Sequence, residues 1–97
     1  MPPEPAPIAS LLAELIGQRV VIDLKSTYVC LGSLAGLDEQ FLDLRDADLH
    51  DLRDSAATRE VYVHDSVRHG IRRNRSRVLL RRDEIVAITR FADVAED

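Results

Sequence analysis

The chain has 97 residues, 45% of them hydrophobic and 31% charged, and a formal net charge of -4. This length fits one domain, because it supports one hydrophobic core and leaves too little chain for a second. No apolar run approaches the roughly 20 residues that a membrane-spanning helix needs, and the start of the chain lacks the basic and apolar regions of a signal peptide. We therefore expect a folded cytoplasmic protein with no membrane partner. The acidic net charge argues against a protein that binds polyanions over its whole surface.

All four prolines of the chain lie in residues 1–7. Proline lacks a backbone donor and fixes φ, so we expect a flexible tail there, then one domain over residues 8–92 and a short tail over residues 93–97. From residue 8 to residue 16 apolar side chains recur at three- and four-residue spacing, and Gly17 follows. This pattern predicts a short amphipathic helix.

The period changes after Gln18. The apolar side chains of Val20, Ile22 and Leu24 alternate with polar ones, which is typical of a half-buried strand. A tight turn is predicted at residues 25–26.

Two further strands are predicted next. The second covers residues 27–37, and its Gly32 and Gly36 indicate a strand that bends sharply. After a turn at residues 38–39, alternation resumes over residues 41–47. A sharply curved strand between two ordinary ones is typical of a small barrel.

The rest of the chain contains one ambiguous segment and two strand-like runs. Residues 55–70 suit either a strand or a helix closed by Gly70, and we favour the helix. Residues 77–81 and 84–91 are separated only by Arg82 and Asp83, which predicts a hairpin. Its second arm alternates Ile85, Ala87 and Thr89 against Val86, Ile88 and Arg90.

Two stretches together resemble the signatures of the Sm and Sm-like family. The first consists of GQRVVIDL at residues 17–24 and GSLAGLD at residues 32–38, and the second is VLLRRDEIVAI at residues 78–88. The resemblance covers residues 8–47 and 77–91. It implies an all-β fold: a short N-terminal helix, then a strongly bent five-stranded antiparallel sheet forming a small open barrel, with an insertion between the third and fourth strands.

The resemblance also implies an RNA site. Family members build a uridine pocket from an Asp, an apolar residue and an Asn near the third strand, and an Arg of the second signature. Asp38 and Arg81 match, whereas Phe41 or Leu42 stands where the Asn belongs. Loss of that amide removes a group that both donates to and accepts from a base edge. Phe41 is either a base-stacking residue or part of the core.

Arg82 replaces the usual glycine of the second signature. This implies either a different type of turn or a positive side chain at the centre of a ring, and both interpretations stay open.

Arginines are concentrated in one segment. Seven of the thirteen basic residues lie between residues 68 and 82, whereas residues 38–54 carry seven acids. We expect a surface polarised by sign, on which the arginines either contact phosphates or form a solvated loop. The candidate RNA-binding arginines outside the signature are Arg72, Arg73 and Arg75.

Family resemblance implies a homo-oligomeric ring of six or seven subunits. In a barrel that does not close, strands four and five leave unpaired backbone groups that a neighbouring subunit can pair with. The candidate interface residues are Leu79, Leu80, Ile85, Val86 and Ile88, half of each strand facing the core and half the neighbour.

Catalytic and metal sites are not indicated. The three histidines, His50, His64 and His69, lack the spacing of metal ligands and suit surface positions, and the single Cys30 suits a buried apolar position. No nucleophile or phosphate-loop motif is present, so we expect no enzyme activity and no cofactor. Two functions remain: a ring that binds RNA, which the family resemblance implies is single-stranded, or an oligomeric scaffold that has lost the pocket.

Overall fold

A computed structural model describes residues 10–95 of the chain. The N-terminal helix α1 covers Ser10–Ala13 and continues as tight turns in which the Leu15 and Ile16 amides donate to the carbonyls of Leu12 and Ala13. The regular helix is therefore shorter than the predicted one, whose first two residues, like the tail at residues 1–7, lie outside the described range. No helix of residues 10–95 is long and apolar enough to cross a membrane.

Five strands form one antiparallel sheet, as predicted. They are β1 (Arg19–Leu24), β2 (Tyr28–Leu37), β3 (Phe41–Asp51), β4 (Arg75–Arg81) and β5 (Ile85–Arg90). Their order across the sheet is β4-β3-β2-β1-β5. The sheet is strongly bent, and its concave face encloses the main core.

The main core follows the alternation of the sequence. Val20 and Ile22 of β1 and Leu42 and Leu44 of β3 are fully buried in it, together with Leu34 of β2. Partly buried side chains of α1, β4 and β5 pack around them. Burial of these aliphatic groups is the main stabilising contribution to the barrel.

A second core lies on the convex face of the same sheet. Val21, Val29 and Leu31 point there and contact Val63 and Phe91. The first strand is therefore buried on both faces, and not half-buried as its alternation predicts. Val94 packs against this cluster, two residues beyond the predicted end of the domain.

The insertion between β3 and β4 carries the helix that covers this second core. Helix α2 spans Arg59–His69, begins at a Thr58 cap whose hydroxyl accepts from the Val61 amide, and ends at Gly70 with φ 98°. The favoured prediction for residues 55–70 is thus confirmed. An ion pair between Arg59 and Asp23 ties the start of α2 to β1.

The two glycines of β2 have different roles in its bend. A Cβ on Gly32 would lie 3.1 Å from both the Ala47 Cβ and the Arg45 carbonyl oxygen, whereas a Cβ on Gly36 would meet nothing within 4 Å. The pairing of β2 with β3 shifts register close to each glycine. Only Gly32 is required by a close approach of two strands.

The predicted hairpin of the last two strands is wrong. β4 pairs with β3, β5 pairs with β1, and the two lie at opposite edges of the sheet. A 3₁₀ turn, Arg82–Glu84, leads from one to the other. The bend of the sheet brings the edges near enough for this short link, so tertiary curvature replaces a local turn.

The predicted alternation in β5 is interrupted. Asp23 of β1 pairs with Ala87, but the next residue, Leu24, pairs with Ile85, so Val86 is skipped. As a result Ile85 and Ile88 both pack against the main core, although the alternation places them on opposite faces.

Candidate nucleic-acid interface

Two turns meet at one end of the sheet and bring four predicted RNA-binding residues together. Phe41 at the start of β3 pairs with Arg81 at the end of β4. The Arg82 amide donates to the Gln40 carbonyl over 2.8 Å, and the Arg82 Nη1 donates to the Asp38 carbonyl over 2.6 Å. We name Asp38, Phe41, Arg81 and Arg82 the turn cluster.

Asp38 shapes the turn between β2 and β3. Its Oδ1 accepts from the backbone amides of Gln40 at 2.8 Å and Phe41 at 2.7 Å. These two hydrogen bonds, with the nearby Arg82 guanidinium, lower the pKa of the Asp38 carboxyl below its usual value. The side chain is exposed and ionised, and its Oδ1 is already used within the chain.

Phe41 and Leu42, the two residues aligned with the missing Asn, face opposite sides of β3. Leu42 is fully buried in the main core. Phe41 is half-buried and belongs to neither core cluster of the described residues. Of these two residues, Phe41 is the one that is partly exposed, and it lies opposite Arg81 in the pairing of β3 with β4.

The two arginines of the turn cluster differ in how firmly contacts within the chain hold their guanidinium groups. Arg81 Nη2 donates to Asp83 over 2.8 Å, and both side chains are more than half exposed, so this ion pair is weak and easily exchanged for another anion. Arg82 is half-buried and fastens the two turns together. It is the first residue of the 3₁₀ turn Arg82–Glu84, which links two opposite edge strands and closes no hairpin.

The remaining arginine candidates lie elsewhere. Arg75 pairs with Ala47 and Arg81 with Phe41, so the two ends of β4 are six residues apart, or about 20 Å. Arg72 and Arg73 precede β4 at the far end. The structure therefore separates the predicted RNA-binding residues into the turn cluster and a second group, the basic segment, made of Arg72, Arg73 and Arg75.

The predicted polarisation of the surface by sign is wrong. Because β4 runs antiparallel beside β3, arginines of β4 and of the segment just before it lie next to the acids of β3. Arg77 contacts Asp43 at 3.1 Å, and Arg73 contacts Asp46 at 2.6 Å.

Arg72 and Arg75 differ from these paired arginines. Neither has a carboxylate partner within residues 10–95, and the Arg75 guanidinium donates only to the Asn74 carbonyl. They are therefore the two arginines of the basic segment that form no ion pair with a carboxylate of the described residues.

The candidate interface residues divide between the two faces of the edge strands. Leu80 is buried, and Ile85 and Ile88 are half-buried against the main core. Leu79 and Val86 are 49% and 67% exposed. The outward-facing pair, one on each edge strand, is available to a neighbouring molecule.

Cys30 and the histidines contribute no metal or nucleophile site at the turn cluster. Cys30 is fully buried, and desolvation raises the pKa of its thiol to about 12. The prediction of a surface position is wrong for His50, because its ring stacks on that of Tyr62 with centroids 4.1 Å apart. Within residues 10–95 no group of three His, Cys, Asp or Glu side chains is placed to hold a metal ion.

Sequence reasoning missed a polar cleft between β3 and α2. Its lining includes Asp48, His50, Tyr62, Asp65 and Arg72. Two regularities could have indicated it: residues two apart on a strand share a face, and residues three or four apart on a helix share a face. Because the predicted third strand ends at residue 47, its alternation assigns no face to Asp48 and His50.

The chain is similar to a number of solved structures, of which two are described. An Sm protein of Pyrococcus abyssii, solved in complex with a uridine heptamer, superposes with a TM-score of 0.59 at 16% identity, covering 88% of this chain and 99% of that one. An Sm-like protein of Archaeoglobus fulgidus gives a TM-score of 0.58 at 14% identity, covering 91% and 99%. No protein-family model and no curated protein matches by sequence. The chain has five antiparallel strands in a bent sheet that follows a short helix, and both similar structures are Sm or Sm-like proteins. The chain therefore has the Sm-like fold.

Proposed function

We propose that this chain assembles into a cytoplasmic ring that binds single-stranded RNA without catalysing a reaction. The observation that carries the proposal is the turn cluster. Asp38 and Arg81, which come from the two separate signature stretches, lie at one end of the sheet with the Phe41 ring beside Arg81. A guanidinium next to an aromatic ring suits a phosphate and a stacked base.

The fold supports the same proposal. The Sm protein of Pyrococcus abyssii was solved with a uridine heptamer, so this architecture is compatible with binding a single strand. The present chain lacks the Asn that its family resemblance implies. Of the two residues at that place, Phe41 is half-buried and Leu42 is fully buried. Stacking on an aromatic ring discriminates poorly between bases, so we expect the turn cluster itself to select little between them.

The two open edges of the sheet support the proposed ring. Within the described residues β4 pairs only with β3 and β5 only with β1. Pairing β4 of one subunit with β5 of the next would satisfy both edges, and it would bury the outward-facing Leu79 and Val86. Six or seven copies is the expectation from the family resemblance.

The basic segment would add to binding in such a ring. Arg72 and Arg75 recur once per subunit, so several modest phosphate contacts sum through avidity. Contacts of this kind release counterions, and affinity therefore falls steeply as salt increases.

The test is native mass spectrometry of the protein with short U-rich and A-rich RNAs at low and moderate salt. Wild type is compared with Arg81→Ala and with Arg90→Ala. Arg90 is a matched control because, like Arg81, it forms an ion pair with an aspartate close to it in sequence, Asp93. It lies at the far end of β5, away from the turn cluster. We expect Arg81→Ala to weaken RNA binding several-fold while the ring persists, and Arg90→Ala to leave affinity unchanged.

Unchanged RNA affinity of Arg81→Ala would contradict the role of the turn cluster. A monomeric wild-type protein would contradict the ring.

A scaffold that binds no RNA is the second candidate. One observation favours it: Asp38, Arg81 and Arg82 all have partners within the chain, the turn amides, Asp83 and the Asp38 carbonyl. Salt separates the two functions, because an RNA-binding ring loses affinity as salt rises, whereas a scaffold has no RNA affinity at any salt concentration.

A further inference from the structure

The cleft between β3 and α2 exists because the alternation of side chains along β3 is interrupted at Asp46, so that the residues beyond it point to the opposite faces of the sheet. That residue has φ 48°, and beyond it Ala47 and Leu49 point into the main core. Asp48 and His50 consequently point to the convex face, beneath α2. The cleft has a volume of about 700 Å³, within the range of roughly 300–1,000 Å³ that is usual for small-molecule sites.

Hydrogen-bond acceptors dominate one part of the cleft. Asp48 is buried, and its Oδ2 accepts from the Tyr62 hydroxyl. Its other oxygen has no hydrogen-bond partner among residues 10–95. Asp65 of α2 is exposed and lines the cleft as well. Ionised carboxylates only accept hydrogen bonds, so these two residues select a ligand with donors.

A planar surface and a further unsatisfied atom lie in the same lining. The rings of His50 and Tyr62 stack with an interplanar angle of 12°. His50 Nε2 is buried and has no hydrogen-bond partner in the described part of the chain. Buried polar atoms without partners are few in folded proteins, and an ordered water or ion is one way in which such an atom is satisfied.

A positive charge completes the cleft. Arg72 lines it, has no carboxylate partner in the described residues, and belongs to the basic segment. A guanidinium is well suited to a phosphate group. The cleft thus offers acceptors for a ring that carries donors and a cation for an attached anion.

We propose that this cleft binds an RNA base bearing an exocyclic amino group, with Asp48 and Asp65 accepting from the base and Arg72 contacting its phosphate. Adenine, cytosine and guanine carry such an amino group, whereas uracil presents two carbonyl oxygens and one N–H. Uracil would place its acceptors against carboxylates. The cleft therefore favours amino-bearing bases over uracil. This inference rests on the proposed RNA binding and adds a base preference to it.

The experiment is fluorescence anisotropy of the full chain with labelled hexamers of adenosine, cytidine and uridine. Variants Asp65→Ala and Arg72→Ala are compared with wild type, and Asp54→Ala is the control, since Asp54 is another exposed acid but does not line the cleft. We expect wild type to bind the adenosine and cytidine hexamers more tightly than the uridine hexamer. Arg72→Ala should weaken all three.

Asp65→Ala gives the sharpest result, because two explanations predict opposite signs. Removing an acid by itself raises affinity for any RNA through weaker repulsion. Loss of a base contact instead lowers affinity for adenosine and cytidine, by about fivefold, and spares uridine. Asp54→Ala should show only the small general rise.

Three outcomes would overturn the inference. Equal affinity for all hexamers would contradict base recognition in the cleft, and so would a rise in affinity on Asp65→Ala like that of Asp54→Ala. The proposed RNA binding would still stand in either case, provided that Arg81→Ala weakens binding. No binding of any hexamer would remove the proposed function, and the base preference with it.

Discussion

Gly32 is the single residue on which the close contact of β2 and β3 depends. A Cβ there would lie 3.1 Å from backbone and side-chain atoms of β3. We expect Gly32→Val to lower the free energy of unfolding by roughly 1–3 kcal/mol, because the two strands must separate to admit the side chain. Urea denaturation measures this.

Gly36→Val is the matched control for that substitution. It adds a β-branched side chain to the same strand, where a Cβ meets nothing within 4 Å. Its unfolding free energy should stay within about 0.5 kcal/mol of wild type. Equal losses for both variants would show that any side chain in this strand is harmful, and that the close approach at Gly32 is not the cause.

Asp43 is a second residue with a measurable role. Arg45 and Arg77 pair directly across β3 and β4, and hydrogen bonds from Arg45 and then Arg77 hold the pKa of Asp43 at about 2. A carboxyl with a lowered folded-state pKa stabilises the protein above its unfolded-state value, near pH 4, and loses this contribution as the pH falls toward 2.

We therefore expect Asp43→Asn to be less stable than wild type at pH 6, and the difference to shrink as the pH falls from about 4 toward 2. Urea denaturation at several pH values in this range gives the comparison. A difference that stays constant across the series would mean that the carboxyl does not titrate in linkage with folding.

Helix α2 is the element whose docking creates the second core and the cleft. Val63 of this helix is buried at 3% exposure, whereas Val61 is 49% exposed. We expect Val63→Ala to cost about 2 kcal/mol of unfolding free energy, since it removes two buried methyl groups and leaves a void. Val61→Ala should be neutral or slightly stabilising, because alanine favours helices.

Thermal and urea denaturation of the two variants compare the same substitution two residues apart. Hydrogen exchange of the α2 amides adds a local readout, and we expect faster exchange in Val63→Ala alone. If both variants were equally stable, α2 would not be docked on the sheet as described.

Local patterns predicted most elements. Alternation identified the first and third strands, the two glycines indicated the bent second strand, and the Gly70 cap with apolar residues at helical spacing identified α2. Boundaries were less well predicted: β3 runs on to Asp51, and α1 is only one turn of regular helix. Strand length depends on hydrogen bonds to a neighbouring strand, which no local pattern contains.

At the scale of the whole molecule, the two open edges of the sheet are the surfaces through which the proposed ring would assemble. The outward-facing Leu79 and Val86 lie on opposite edge strands. If these edges join subunits, Val86→Asp and Leu79→Asp should each dissociate the ring, because a buried unpaired carboxylate is costly to desolvate. Light scattering after size-exclusion chromatography measures the mass.

Leu11→Asp is the control for the edge variants. Leu11 is 77% exposed and lies on α1, away from both edges, so this variant should keep the mass of wild type. Dissociation by Leu11→Asp, or a ring that survives both edge variants, would place the subunit contact elsewhere.

The sequence by itself determined the strands that alternation marks, the bend at Gly32, the buried Cys30 and the two signature stretches that place Asp38 and Arg81. Only the tertiary structure decided that β4 and β5 lie at opposite edges, that Asp43 and Asp46 pair with the arginines of the fourth-strand region, and that Asp48 and His50 meet α2. The reason is physical. Periodicity and turn residues act between near neighbours, whereas edge order, cross-strand ion pairs and the cleft depend on how a bent sheet brings distant segments together.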